Sequence, residues 1–215
     1  MAKNTKGVTV KRQQGWFAIH SNSIGTSRYV PFWRVEDVKS AGIKVKIRHF
    51  SNPGRVVHLL SINELFMYLF IAWDPEIYEV YEQYGIPIEK TIDIANRLKI
   101  AHPVYSDSRT PIIQTIDFMC KRNGKRDLAY LVKQASALDN ERTKEKLEIQ
   151  KIFCEESGID YKEVTSDELK TTRYENLERL YRHSNLDRLL IGVFKVWFSN
   201  FVGILSESRY ERVAH

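Results

Sequence analysis

Hydrophobic and polar positions along this chain alternate between two periods, and each switch of period marks an element. Residues 29–38 and then 43–50 (IKVKIRHF) read as extended, with apolar and basic positions alternating as in a half-buried strand that has a cationic outer face. The run SINELFMYLFIAW at 61–73 predicts a mostly buried helix, opened by Ser61 and Glu64 at capping-box spacing. Residues 77–84 (IYEVYEQY) alternate as a strand, Gly85 and Pro87 break it, and 89–98 return to a helical period. After a polar loop at 103–111, two stretches of strand-formers, 112–120 and 127–133, flank the sequence KRNGKR. Its Asn123-Gly124 pair predicts a hairpin turn with positive φ at both positions.

A charged helix follows at 140–156, ended by Gly158, with a further strand at 159–165. Ser166 opens another helix reaching about residue 182, and an apolar helix begins at Leu186. Residues 1–28 carry Lys3, Lys6, Lys11, Arg12 and Arg28 without sustained periodicity and read as a basic arm. Helices and strands in this order predict an α/β core with a helical tail.

Composition narrows the class. The 215 residues, 43% hydrophobic and 28% charged, suit a globular protein and exclude a fibrous or disordered chain. Cys120 and Cys154 lie in apolar patterns without a CxxC partner, which excludes a disulfide scaffold. The opening residues lack the apolar stretch of a secretory signal, so cytoplasmic residence is expected. The apolar run at 189–205 has Lys195 at its centre and is short of the roughly 20 residues that span a bilayer. No membrane association is therefore expected. A net charge of +6 favours a polyanionic partner, although a solvated basic face gives the same total.

The chemistry-bearing pattern is Asp117 on the first strand of the hairpin, Lys133 at the end of the second, and Glu64 on an earlier helix. This is the layout of the PD-(D/E)xK nuclease core. Carboxylates there hold a divalent cation that polarises a phosphodiester and activates water, and the lysine orients that water or offsets charge on the phosphate. An Asp117–Lys133 cross-strand ion pair and a capping role for Glu64 explain the same residues without catalysis.

Wider stretches carry a family resemblance: YVPFWRVEDV at 29–38, Gly42, GRVVHLLS at 54–61, Glu82-Gln83-Tyr84, His102-Pro103-Val104 and ALDNERTKEKLE at 137–148. Together they resemble TnsA, the endonuclease subunit of heteromeric bacterial transposases. The resemblance implies a restriction-endonuclease-like α/β fold, a mixed central sheet flanked by helices. It divides the chain into a basic arm at 1–28, an endonuclease core at 29–165 and a shortened helical partner-binding region at 166–215. It also implies metal ligation by Glu64 and Asp117 and catalysis by these two with Lys133, with Mg²⁺ or Mn²⁺ as cofactor.

The family places Glu or Gln two residues before the lysine. Leu131 occupies that position, so its main-chain carbonyl is the expected substitute, with Glu82 and Gln83 as further donors from a neighbouring strand. DNA-contact candidates are Lys44, Lys46, Arg48, Arg55, Lys121, Arg122, Lys125 and Arg126, each equally explicable as surface charge. Phe194, Trp197, Phe198 and Phe201 are candidates for a partner interface or for packing on the chain's own core.

The implied partners are double-stranded DNA at transposon ends, a TnsB-like DDE transposase and a TnsC-like ATPase regulator, in a bacterial, nucleoid-associated setting. A subunit of this kind cuts the 5′ ends while the transposase cuts and joins the 3′ ends. Two other readings stay open: a non-catalytic DNA-binding or assembly subunit, and another nuclease of the same core, restriction or junction-cleaving.

Overall fold

The computed structural model describes residues 2–39, 42–52 and 54–183. Its centre is a four-stranded mixed sheet in the order β3 (Ile77–Gly85), β4 (Thr115–Arg122), β5 (Leu128–Lys133), β6 (Asp160–Thr165). The first three strands run antiparallel and β6 runs parallel to β5. A parallel neighbour needs a crossover, which α4 (Glu141–Glu156) provides after a short 3-10 turn at Ala135–Asp139. A separate ribbon pairs β1 (Val45–Arg48) with β2 (Val56–Leu59). The expected mixed sheet flanked by helices is the observed architecture.

Apolar side chains on the two sheet faces build two cores. Val80, Phe118, Cys120, Tyr130 and Val132 pack with α2 (Ile62–Ala72) and the ribbon residues Val57 and Leu59. Tyr81, Met119 and Ala129 pack with Ile94 and Ala95 of α3 (Ile88–Leu98) and with Ile149 and Phe153 of α4. Phe118 and Ile116 belong to different cores, although a regular strand places i and i+2 on one face. The pleat is therefore interrupted at Asp117. Facing it, Gln83 carries φ of 48°, between the pairs Glu82↔Phe118 and Tyr84↔Ile116.

Several expectations need correction. The basic arm expected at 1–28, where no periodicity marked an element, contains α1 (Val10–Ser23), capped by Thr9. Its buried residues are Gln13, His20 and Ser23, all polar, so no apolar stripe announces it. Gln13 donates to the Pro111 carbonyl at 2.7 Å and accepts from the Ile113 amide at 3.2 Å. His20 accepts from the Gly85 amide at 3.0 Å and places Nδ1 2.7 Å from the Val30 carbonyl. Burial lowers its pKa to about 4, which keeps the neutral tautomer these two bonds require. A side chain at 85 would meet His20 and Phe32 at 3.2–3.3 Å, so glycine is needed there for the close approach.

Residues 29–38 form turns rather than a strand, and β2 occupies residues that no alternation had marked. At the hairpin tip only Gly124 takes a positive φ, so the turn is longer than a two-residue type I′ connection. The helix expected from Ser166 is broken into α5 (Ser166–Leu169) and α6 (Thr172–His183). The chain separates into two compact units, Met1–Tyr174 and Glu175–His215, the second described only through the end of α6. The helix expected from Leu186 and the aromatic set Phe194, Trp197, Phe198 and Phe201 lie outside the described residues. Among those residues no helix is long and apolar enough to cross a membrane.

Arg55, expected to contact DNA, is instead an interior strut. It is 6% exposed, pairs with Glu82, reaches Glu79 at 3.2 Å and the Val80 carbonyl at 2.8 Å, and stacks over Tyr29. Glu82 is fully buried; burial pushes its pKa up to about 7 while the Arg55 charge opposes that rise. Removing one member of such a pair leaves an uncompensated group in the interior. Arg55→Ala is expected to lower unfolding free energy by about 3 kcal/mol in urea titrations. Arg55→Met combined with Glu82→Leu should recover most of that loss, and a single-variant loss below about 1 kcal/mol would show the pair to be dispensable.

Candidate active site

The first turn of α2 fixes Glu64. Ser61 caps the helix by accepting from the Glu64 amide at 3.2 Å, and its hydroxyl donates to Glu64 Oε1 at 3.1 Å. Glu64 Oε2 then accepts from the Leu60 amide at 2.8 Å and from Gln83 Nε2 at 3.2 Å. The capping role and the site role are thus compatible: the helix start that needs the glutamate also aims it at the sheet.

Asp117 enters from the interrupted position of β4. Its Oδ2 accepts from the Val132 amide at 2.7 Å and from Lys133 Nζ at 3.0 Å, and Lys133 also donates to the Val132 carbonyl at 3.1 Å. The ladder between β4 and β5 has its last partnered pair at Phe118↔Tyr130. Beyond it the Asp117 side chain takes over the Val132 amide, which locks the carboxylate to the end of β5. The structure therefore brings Glu64, Asp117 and Lys133 together from three elements.

Glu64 and Asp117 are only 6% and 8% exposed. Burial, and next the negative charge of Asp117, push the Glu64 pKa up to about 8 against the opposing pull of the Leu60 amide, Lys133 and Ser61. Two carboxylates confined in this way share a field that a divalent cation would neutralise. Among the described residues no three His, Cys, Asp or Glu side chains group as a metal site. The acidic side chains that could hold a cation here are therefore Glu64 and Asp117, and any further donors would be neutral oxygens, a set chemically suited to Mg²⁺ or Mn²⁺.

The remaining sequence candidates divide. Leu131 is fully buried. The amide and carbonyl of one strand residue share an edge, and the Val132 amide meets Asp117 on the β4 edge, so the Leu131 carbonyl belongs to the β6 edge. The main-chain oxygen on the site edge is that of Val132, which corrects the assignment to Leu131. Glu82 is committed to Arg55, whereas Gln83 reaches the site. Sequence reasoning missed Val132 because a main-chain donor leaves no trace in residue type.

Lys44 closes the preceding loop through the carbonyls of Val35 and Val38 at 2.9 and 2.6 Å, and Lys46 pairs with Glu36. Arg48 is exposed on β1. The turn cluster is ion-paired, Lys121 with Asp127, Arg122 with Asp160 and Lys125 with Glu76, while Arg126 is exposed. It lies at the far end of the hairpin, roughly 15 Å along β4 from Asp117.

A family model described as TnsA-like endonuclease N terminal matches residues 74–166. The chain is also 34% identical over 155 residues to the Transposon Tn7 transposition protein TnsA of Escherichia coli, a match covering 71% of this chain and 56% of that protein. The chain thus spans little more than half the length of this relative.

The raised pKa of Glu64 has a definite sign for stability. With a folded pKa of about 8, above the ordinary glutamate value of 4.5, the native state holds the proton more tightly, so stability falls as pH rises between those values. Metal-free Glu64→Gln is expected to lose this slope and to melt a few degrees above wild type near pH 8.5, on the order of 1–2 kcal/mol. Thermal melts in EDTA across about pH 5 to 9 check this. Parallel profiles for the two proteins would show that Glu64 is not held protonated.

Proposed function

The chain belongs to the TnsA-like endonuclease family, and from this premise we propose that it is the DNA-cleaving subunit of a heteromeric transposase, hydrolysing the strand at the 5′ transposon ends. One observation carries the reading: Glu64, Asp117 and Lys133, distant in sequence, converge at one end of the sheet with both carboxylates buried.

Glu64 and Asp117 are the residues that would hold Mg²⁺ or Mn²⁺, with the Val132 carbonyl on the same edge. When bound, the cation supplies Lewis-acid polarisation of the phosphate and a lowered pKa for water. The α2 start and the Val132 amide fix the two carboxylates beforehand, so the donor geometry need not be assembled during the reaction. Lys133 stands beside them as a donor, placed to orient the attacking water or to offset charge on the phosphate oxygens. Water adds to phosphorus, the P–O bond to the leaving strand breaks, and the departing oxygen takes a proton.

The partners in this reading are double-stranded DNA at the transposon ends, a TnsB-like DDE transposase that acts on the other strand, and a TnsC-like ATPase regulator. Phosphate contacts orient the duplex without reading bases. Arg126 and Arg48, both exposed, remain candidates for such contacts, and Arg55 does not.

The test is nicking of a labelled transposon-end duplex in Mg²⁺ and in Mn²⁺ with the matching transposase present. Wild type should cut at the 5′ end, Asp117→Ala should lose the cut, and Lys133→Ala should slow it by roughly 10²–10⁴-fold. No cleavage by wild type in either metal, with transposase activity and assembly normal, would replace this reading by a non-catalytic assembly subunit. The leucine at position 131 is the observation that favours that alternative.

A further inference from the structure

We propose that Gln83 supplies the third side-chain oxygen of the cation site, a neutral donor contributed by β3 where Leu131 on β5 offers none; this deepens the nuclease reading above and rests on it. Gln83 is 2% exposed and faces Asp117 across the β3–β4 pair. Its Nε2 donates to Glu64 Oε2 at 3.2 Å and its Oε1 accepts from the Thr115 hydroxyl at 3.1 Å. The side chain is therefore in direct contact with one of the two carboxylates and opposite the other.

The backbone is shaped to bring it there. Glu82 reaches Arg55 and the His58 amide of β2, and Gln83 reaches Glu64 of α2, so two consecutive residues address the same layer. A regular strand sends consecutive side chains to opposite faces. The φ of 48° at Gln83 makes the exception possible, at a cost of about 1–3 kcal/mol for a residue other than glycine. Phe32 holds the strained peptide by donating to the Gln83 carbonyl at 3.0 Å. Strain retained at a buried polar residue beside two carboxylates is a mark of a site rather than of packing.

The amide also suits both states of the site. Its NH₂ group points at Glu64 and solvates the carboxylate. A half-turn of the amide presents Oε1 to a cation and Nε2 to Thr115. The Thr115 hydroxyl accepts as readily as it donates, so that hydrogen bond survives the rotation. Gln150 donates to the Thr115 carbonyl at 2.9 Å and so ties this end of β4 to α4, keeping Thr115 in place as the pivot.

The experiment is Mn²⁺ titration of the full chain by electron paramagnetic resonance, with melting in EDTA as the control for folding. Gln83→Leu should weaken Mn²⁺ binding by roughly tenfold or more while leaving the metal-free melt within a few degrees of wild type. Gln83→Glu should bind Mn²⁺ at least as tightly as wild type, because a carboxylate oxygen takes the same place. Binding by Gln83→Leu within about twofold of wild type, with Asp117→Ala abolishing it, would overturn the proposal and leave the nuclease reading standing. Should Gln83→Leu not fold, a Gln83→Glu affinity more than about tenfold weaker than wild type would overturn it equally. Absence of Mn²⁺ binding by wild type itself would remove the metal-dependent reading and this inference together.

Discussion

Two carboxylates withdrawn from water into each other's field set the terms for the surrounding structure. Charges of one sign in a low-dielectric setting repel strongly and lose hydration, so each must be offered donors by the scaffold or carry a proton. The chain does both. Leu60, Ser61 and Gln83 supply donors to Glu64, Val132 and Lys133 supply them to Asp117, and Glu64 is pushed toward its protonated form. These donors come from element ends or an interrupted strand, and two of them, the Leu60 and Val132 amides, are backbone groups left over from the regular ladders. The start of α2, the break in β4 and the end of β5 converge because those are the places with unspent hydrogen-bonding capacity.

Glu82, one residue before Gln83, is a useful contrast. It is buried more completely than either site carboxylate, yet it faces the Arg55 guanidinium and the His58 amide. A fully paired anion of this kind is structural: it pins the β1–β2 ribbon to the sheet and has nothing left with which to bind a ligand. Glu64 and Asp117 have one lysine between them, on the Asp117 side. The difference in countercharge, rather than in burial, separates the strut from the site.

Legibility in the sequence followed the same division between apolar and polar bonding. The runs at 61–73, 77–84 and 140–156 fell where α2, β3 and α4 are, because their apolar spacing and caps are local properties. Helix α1 was invisible since it docks through Gln13 and His20 rather than an apolar stripe. Glu64, Asp117 and Lys133 were nameable because an acid, an acid and a lysine on these elements form a chemical pattern. Val132 was not, since a main-chain oxygen has no residue signature, and Arg55 looked like surface charge because burial depends on Glu79 and Glu82, which come from another strand. The role of Gln83 depends on one positive φ, which no periodicity encodes.

Leu131 takes a different meaning once the strand edges are known. A third carboxylate at that position would add a negative charge to a pair already in mutual repulsion, and with one divalent cation the cluster would keep a net charge of about −1 in the interior. Two carboxylates and one dication balance. A neutral amide from β3 and a main-chain oxygen from β5 would then fill coordination positions without disturbing that balance, and Lys133 would be freed to face a phosphate rather than to offset an extra acid. The leucine, fully buried, adds apolar packing where a charge would need solvation. On electrostatic grounds the departure at this position is compatible with a working cation site, provided that the neutral oxygens come from the two strands flanking β4.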